Sequence, residues 1–252
     1  MQILISCAKT MATTDTGIVP ALSQPLFADV ADRLAAQLAA LSTEELGRML
    51  RVNARLAAEN RRRFLAFHDA PQQAALAAYT GIVFKRIDPQ TFSNADFAWA
   101  QEHLNITSFL YGLLRPLDAI RPYRLEGDAV LPATGEQSLF EFWQERLTDV
   151  LLERIRQDDG VLVNLASGEM KRLFDWPRVV REVRVITPEF RIREGGRFKT
   201  VVVYTKMCRG EMTRRILRER ITDLEALHDF DWEGFRFDPE SSRPDRPHFV
   251  LQ

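Results

Sequence analysis

Lysine stands at only five positions in this chain, 9, 85, 171, 199 and 206, and every other basic residue is arginine. An arginine-biased genome accounts for the scarcity. Even so, Lys9, Lys171 and Lys206 each follow an apolar run that reads as a strand. A compact ammonium at a strand end can hold a phosphate. It can also donate a proton or, with its pKa lowered by neighbouring cations, act as an amine nucleophile. Three such ends are recognisable: Ser6 with Lys9 and Thr10, Asn164 with Ser167, and Lys206 with Arg209 and Gly210. Two of the turns lead into apparent helices at Gly168 and Arg209, whose free N–H groups favour anions. A cleft gathering Lys9, Lys171, Lys206 and Arg209 suits phosphate; solvated loop residues would give the same spacing.

A second concentration of charge lies in HLNITSFLYGLLRPLDAIRPYRLEG, residues 103–127. Its pattern reads as a helix, a tight turn ending in Gly112 and a second short helix. That arrangement resembles a helix-hairpin-helix, whose turn amides contact a nucleic-acid backbone. Arg115, Arg121 and Arg124 would add phosphate contacts, and Tyr123 a stacking face. Pairing of these arginines with Asp118 and Glu126, and prolines 116 and 122 as plain turn-formers, fit the same residues. The four histidines have no metal-ligand spacing with either cysteine, so no metal is expected. No G-x-G-x-x-G, G-x-x-x-x-G-K-[ST] or G-x-S-x-G occurs, and nothing asks for a cofactor. Cys7 and Cys208 sit near lysines that could lower a thiol pKa, although small-residue packing explains them as well.

The elements that must position these groups follow from pattern. The chain has 252 residues, is 46% hydrophobic and 27% charged, and carries a net charge of −1, values of a folded globular protein with no global basic field. No window approaches a membrane span, the opening MQILIS is too short for a signal peptide, and two cysteines make no disulfide framework. A cytoplasmic, monomeric protein is expected. Residues 2–6 and 161–165 read as buried strands, and 180–187 and 198–205 as further strands flanking a Glu194-Gly195-Gly196-Arg197 turn. Helices are expected over 26–41, from a Ser42 capping box to 67, over 71–79, after Ser93, after Ser138 and over 209–220. Residues 235–237 and 248–251 read as a last strand pair. The expected architecture is a single mixed-sheet α/β domain spanning 1–252.

Several blocks, in order, resemble the motifs of the YaaA peroxide-stress family: ILISCAKT, the 103–127 stretch, LFEFW, NLASGEMK and YTKMCRGEMTRRI. The resemblance covers nearly the whole chain. It implies a single α/β domain with a helix-hairpin-helix-like element and a positively charged cleft, in the cytoplasm. It further implies binding to duplex DNA and a role in limiting damage from hydrogen peroxide and free iron. The family's S-P-A-K-T reads Ser6-Cys7-Ala8-Lys9-Thr10 here, its S-G-L-Y-G turn reads Ser108-Phe109-Leu110-Tyr111-Gly112, and its K-x-A-R-G reads Lys206-Met207-Cys208-Arg209-Gly210. Its G-D-V-Y-x-G segment reads Gly81-Ile82-Val83-Phe84-Lys85-Arg86, without the acid, the phenol or the second glycine. Phe109 in place of a turn glycine is expected to shield the turn amides from a phosphate.

Two functions compete. As a binder, the protein would hold duplex DNA through Lys9, Thr10, Gly112, Arg115, Arg121, Tyr123, Arg124, Asn164, Ser167, Lys171, Lys206 and Arg209. As an enzyme, it would take a nucleotide-like or phosphorylated small molecule in the same cleft. Lys9 or Lys206 would then act as proton donor or nucleophile, and Glu126 or Glu169 as general base.

Overall fold

A computed structural model describes residues 1–12 and 21–252. The chain opens with β1 (Gln2–Ile5), an unbroken apolar run whose Ile3, Leu4 and Ile5 are wholly buried, as a central strand covered on both faces requires. Three helices follow, α1 (Ala28–Ala40), α2 (Thr43–Leu50) and α3 (Ala54–Leu65). The Ser42 capping box forms, with Ser42 Oγ accepting from the N–H of Glu45 at 3.2 Å. Residues 42–67 are nevertheless two helices rather than the one expected. Arg51 turns left-handed at φ 52°, and Asn53 caps a fresh start by accepting from the N–H of Leu56 at 3.0 Å.

Next come β2 (Gln73–Ala74), α4 (Ala75–Ala78), α5 (Ile82–Ile87) and α6 (Asn94–His103), the last with its Ser93 capping box intact. Here the helix-hairpin-helix expectation fails. Helix α6 ends at His103, and the chain continues as β3 (Leu104–Ser108), a turn, and β4 (Gly112–Leu114). All five residues of β3 are buried, and Ile106 pairs with Ile5 on one side and with Leu114 on the other. Burial between two strands overrides the helical run that precedes it. Ser108 Oγ accepts from the N–H of Tyr111 at 2.9 Å to close the turn. Gly112 sits at φ +74°, and a Cβ there would lie 2.7 Å from the Trp143 ring. This glycine makes room for a core tryptophan rather than for a phosphate.

Strand β5 (Ala119–Ile120) pairs with β2; α7 (Leu139–Gln157), β6 (Val161–Asn164), α8 (Trp176–Glu182) and β7 (Arg184–Ile186) follow. The strand expected over 180–187 is thus confined to its end. Strands β8 (Glu189–Glu194) and β9 (Arg197–Lys199) form the expected hairpin, with Gly195 and Gly196 at φ 55° and 76°.

Beyond β9 the expected strand gives way to α9 (Val202–Glu219). The β-branched run Val202-Val203 is exposed on the first turn, while Cys208, Met212 and Ile216 form a buried stripe at helical spacing. Lys206 and Arg209 therefore stand on a helix face, and Gly210 lies mid-helix. A Cβ on Gly210 would come within 2.5 Å of the Val83 carbonyl oxygen, so this glycine lets α9 lie directly on α5. Strands β10 (Asp231–Trp232), β11 (Phe235–Phe237) and β12 (His248–Leu251) complete the described chain.

Two five-stranded sheets result, ordered β4-β3-β1-β6-β7 and β10-β11-β12-β8-β9. In the first, β3, β1, β6 and β7 are parallel, and only β4 runs against them. From β1 the chain goes first to β3 on one side and later to β6 on the other. The loops after β1, β3 and β6 therefore diverge over one crevice at the strands' carboxyl ends, the position where open α/β sheets take ligands.

Candidate functional site

A cavity of about 360 Å³ opens in that crevice. Loop 6–10, after β1, supplies Ser6, Cys7, Lys9 and Thr10, and the segment after β6 supplies Leu165, Ser167, Glu169 and Met170. Phe109 comes from the tip of the β3–β4 turn, Tyr123 and Arg124 from the segment after β5, and Lys206 and Arg209 from α9. The start of α5 contributes Ile82, Val83 and Phe84. Small residues bring the first and last of these walls together, since a Cβ on Gly81 would sit 2.7 Å from the Cβ of Ala8.

The loops are held by their own polar groups. Ser6 Oγ accepts from the N–H of Ser167 at 2.9 Å, tying the β1 and β6 ends to each other. Thr107 Oγ1 accepts from the N–H of Cys7 at 3.3 Å. Beneath the cavity, Tyr123 Oη shares hydrogen bonds with Tyr79 Oη at 2.8 Å and Ser108 Oγ at 2.7 Å. Burial raises both phenols well above the usual tyrosine range. They are a neutral, hydrogen-bonded floor, and Tyr123, only 4% exposed, is no stacking platform.

The charged side chains fall into two sets. Lys9 Nζ donates to both carboxylate oxygens of Glu126, at 2.9 and 2.7 Å, and Arg124 approaches the same carboxylate at 3.5 Å. Glu126 stands behind these two cations rather than in the cavity wall. Lys206, Arg209 and Glu169 instead form no ion pair and donate or accept no side-chain hydrogen bond among the described residues. The Nε atoms of Arg124 and Arg209 are both buried without a partner among the described residues. Burial holds the Arg209 guanidinium below its ordinary pKa, with Glu189 opposing.

The remaining residues expected at the site are elsewhere. Gly112 packs under Trp143, as described above. The Arg115 N–H is taken by Asp118 at 2.7 Å. Arg121 donates to the carbonyl oxygens of Ala70 at 3.2 Å and His68 at 3.4 Å, and its guanidinium covers the Phe67 ring. Asn164 is 1% exposed, and its Oδ1 accepts from the N–H of Ala166 at 3.2 Å. Lys171 lies over the Trp176 ring at 4.9 Å, its pKa lowered by burial and then by Arg246 and Arg209. The structure thus gathers Lys9, Thr10, Tyr123, Arg124, Ser167, Glu169, Lys206 and Arg209, with Glu126 behind them. It disperses Gly112, Arg115, Arg121, Asn164 and Lys171.

Sequence reasoning missed Ile82, Phe84 and Met170, which make the cavity's apolar side; the close approach of Gly81 to Ala8 leaves no local signal. Among the described residues no group of three or more His, Cys, Asp or Glu is placed to hold a metal, and no helix is long and apolar enough to cross a membrane.

Comparison with known proteins agrees along the chain. The family model described as Peroxide stress protein YaaA matches residues 1–241. The chain is 56% identical over 244 residues to a UPF0246 protein of Bacteroides thetaiotaomicron, covering 96% of this chain and 95% of the relative. It is 46% identical over 261 residues to a UPF0246 protein of Porphyromonas gingivalis, spanning all of both. To one from Crocosphaera subtropica it is 34% identical over 256 residues, 99% of this chain and all of the relative. A match of this extent places the chain in the YaaA peroxide-stress family.

Proposed function

We propose that this protein serves the peroxide-stress response named in its family's description by binding a phosphate-bearing ligand of nucleotide size in the crevice beyond β1 and β6. One observation carries the reading: Arg124 and Arg209 line a single cavity, and the Nε donor of each is buried without a partner among the described residues. An orphaned buried donor costs about 1–3 kcal/mol, and an anion seated between these arginines would recover it. The apolar side made by Ile82, Phe84, Phe109 and Met170 suits the flat face of a base. A cavity near 360 Å³ falls at the small end of ligand sites, which suits a mononucleotide. Two free thiols support a reducing compartment such as the cytoplasm.

Isothermal titration calorimetry with adenosine and uridine 5′-monophosphates tests the proposal. Saturable binding that Arg209→Ala weakens at least tenfold is expected; no heat with any mononucleotide from folded protein would sink it.

Duplex DNA gripped across the cavity mouth is the second reading. It draws on Lys9, 57% exposed, and Lys206, also exposed, at the rim. Anisotropy of a labelled duplex at several salt concentrations separates the two. A steep log–log salt slope, flattened in Lys206→Ala, favours the duplex, whereas mononucleotide binding with little salt dependence favours the pocket.

A further inference from the structure

We propose that Glu169 makes the cleft selective for ribonucleotides, accepting hydrogen bonds from the sugar hydroxyls of a ligand whose phosphate lies between Arg124 and Arg209. The inference rests on the nucleotide reading above and adds the sugar to it.

A carboxylate in the wall is out of place in a site for bare anions. Glu126, the other acid at this site, is held by Lys9 and Arg124. Glu169 is exposed and has no such partner among the described residues, and it shares the cavity wall with Lys206 and Arg209, which form no ion pair among them either. Its backbone is fixed. The Ser167 carbonyl accepts from the N–H of Met170 and the Glu169 carbonyl from the N–H of Arg172, both at 3.1 Å, which opens a tight 3-10 turn over Met170–Leu173. That turn sends Met170 into the cavity and Lys171 away over Trp176. Burial raises the pKa of the Cys7 thiol and the Glu169 charge adds to it, so that charge is felt at the carboxyl end of β1.

Two consequences of opposite sign follow. Toward inorganic phosphate, Glu169 is a like charge and weakens binding. Toward a vicinal diol it offers two acceptor oxygens and strengthens binding through charge-assisted hydrogen bonds. With the base on Ile82 and Phe109 and the phosphate between Arg124 and Arg209, the sugar is the part of a nucleotide left to meet Glu169.

The test is calorimetry on the full chain with adenosine 5′-monophosphate, its 2′,3′-dideoxy counterpart and inorganic phosphate, using wild type, Glu169→Gln and Glu169→Ala. Thermal melts check that each variant folds. Wild type is expected to prefer the ribonucleotide over the dideoxynucleotide about tenfold, the effect of one charge-assisted hydrogen bond. Both variants should lose that preference and bind inorganic phosphate as tightly as wild type or tighter. If wild type binds the two nucleotides alike, or the variants keep the preference, the sugar assignment is wrong while the cleft remains a nucleotide site. If wild type binds neither nucleotide, both readings fall.

Discussion

The indole N–H of Trp143 donates to the carbonyl oxygen of Phe109 at 2.8 Å, and both residues are buried. This bond ties α7 to the tip of the β3–β4 turn, and the Phe109 ring continues the contact edge-on to Phe140 at 5.4 Å. The bulky residue at this turn therefore shields no phosphate-binding amides; it is a core residue that also walls the cavity.

Trp143→Phe should cost about 1–3 kcal/mol, because it orphans a buried carbonyl while keeping most of the apolar contact. Gly112→Ala should cost about 2–4 kcal/mol, since it adds a left-handed strain to a collision with the Trp143 ring. Urea unfolding checks both, and a midpoint that falls at constant slope is the expected result.

Arg121→Ala separates the sequence reading from the structural one. A nucleic-acid contact would lose affinity on this change. Its guanidinium instead caps the carbonyls of Ala70 and His68 over Phe67. The variant should lose about 1 kcal/mol of stability and leave nucleotide affinity untouched. Weakened binding at unchanged stability would return Arg121 to the site.

What the sequence made legible was local. The helix starts read at Ser42, Ser93 and Ser138 all form, each closed by a capping box that needs only four residues. The loops after β1 and β6 were located correctly because polar residues end apolar runs. The failures were decided by distant partners. Leu104-Asn105-Ile106-Thr107-Ser108 reads as more helix until β1 pairs with it, and Val202-Val203 reads as strand until Gly210 lets α9 settle on α5. At the site, Lys9 and Arg209 could be named in advance. That Glu126 neutralises one of them and no described residue pairs with the other could not.

Both thiols should be unreactive in the folded protein. Burial pushes Cys7 and Cys208 to about 12, with Glu169 adding to the first and Glu211 to the second. Roughly one thiol in ten thousand would then be thiolate at pH 8. Mass spectrometry after iodoacetamide treatment should find both cysteines unlabelled in the folded protein and labelled in denaturant. Rapid oxidation of either cysteine by dilute hydrogen peroxide would overturn this and make thiol chemistry the family's peroxide link here.

His248 predicts a pH effect in the second sheet. Burial, then the charge of Arg191, lowers its pKa below the ordinary 6.5, while Glu189 and Asp238 oppose. The fold thus prefers the neutral ring. Its contribution is complete above the unfolded value and is lost as pH falls through 6.5 toward the folded value. Wild type should lose more melting temperature than His248→Gln between about pH 7.5 and 5.5. Parallel losses would show that other groups set the slope.

Arg209 should display a conflict between stability and binding. Its guanidinium is largely desolvated, and its Nε lacks an acceptor among the described residues. An unpartnered buried donor destabilises the free protein, and the proposed ligand is what makes its presence useful. Arg209→Met fills similar space without the charge. It should raise stability by about 1 kcal/mol while lowering nucleotide affinity at least tenfold. Denaturant melts and calorimetry on the same preparation measure the two effects together. A variant less stable than wild type that still bound nucleotide would mean that Arg209 braces α9, and that the cavity's phosphate contact lies on the Arg124 side instead.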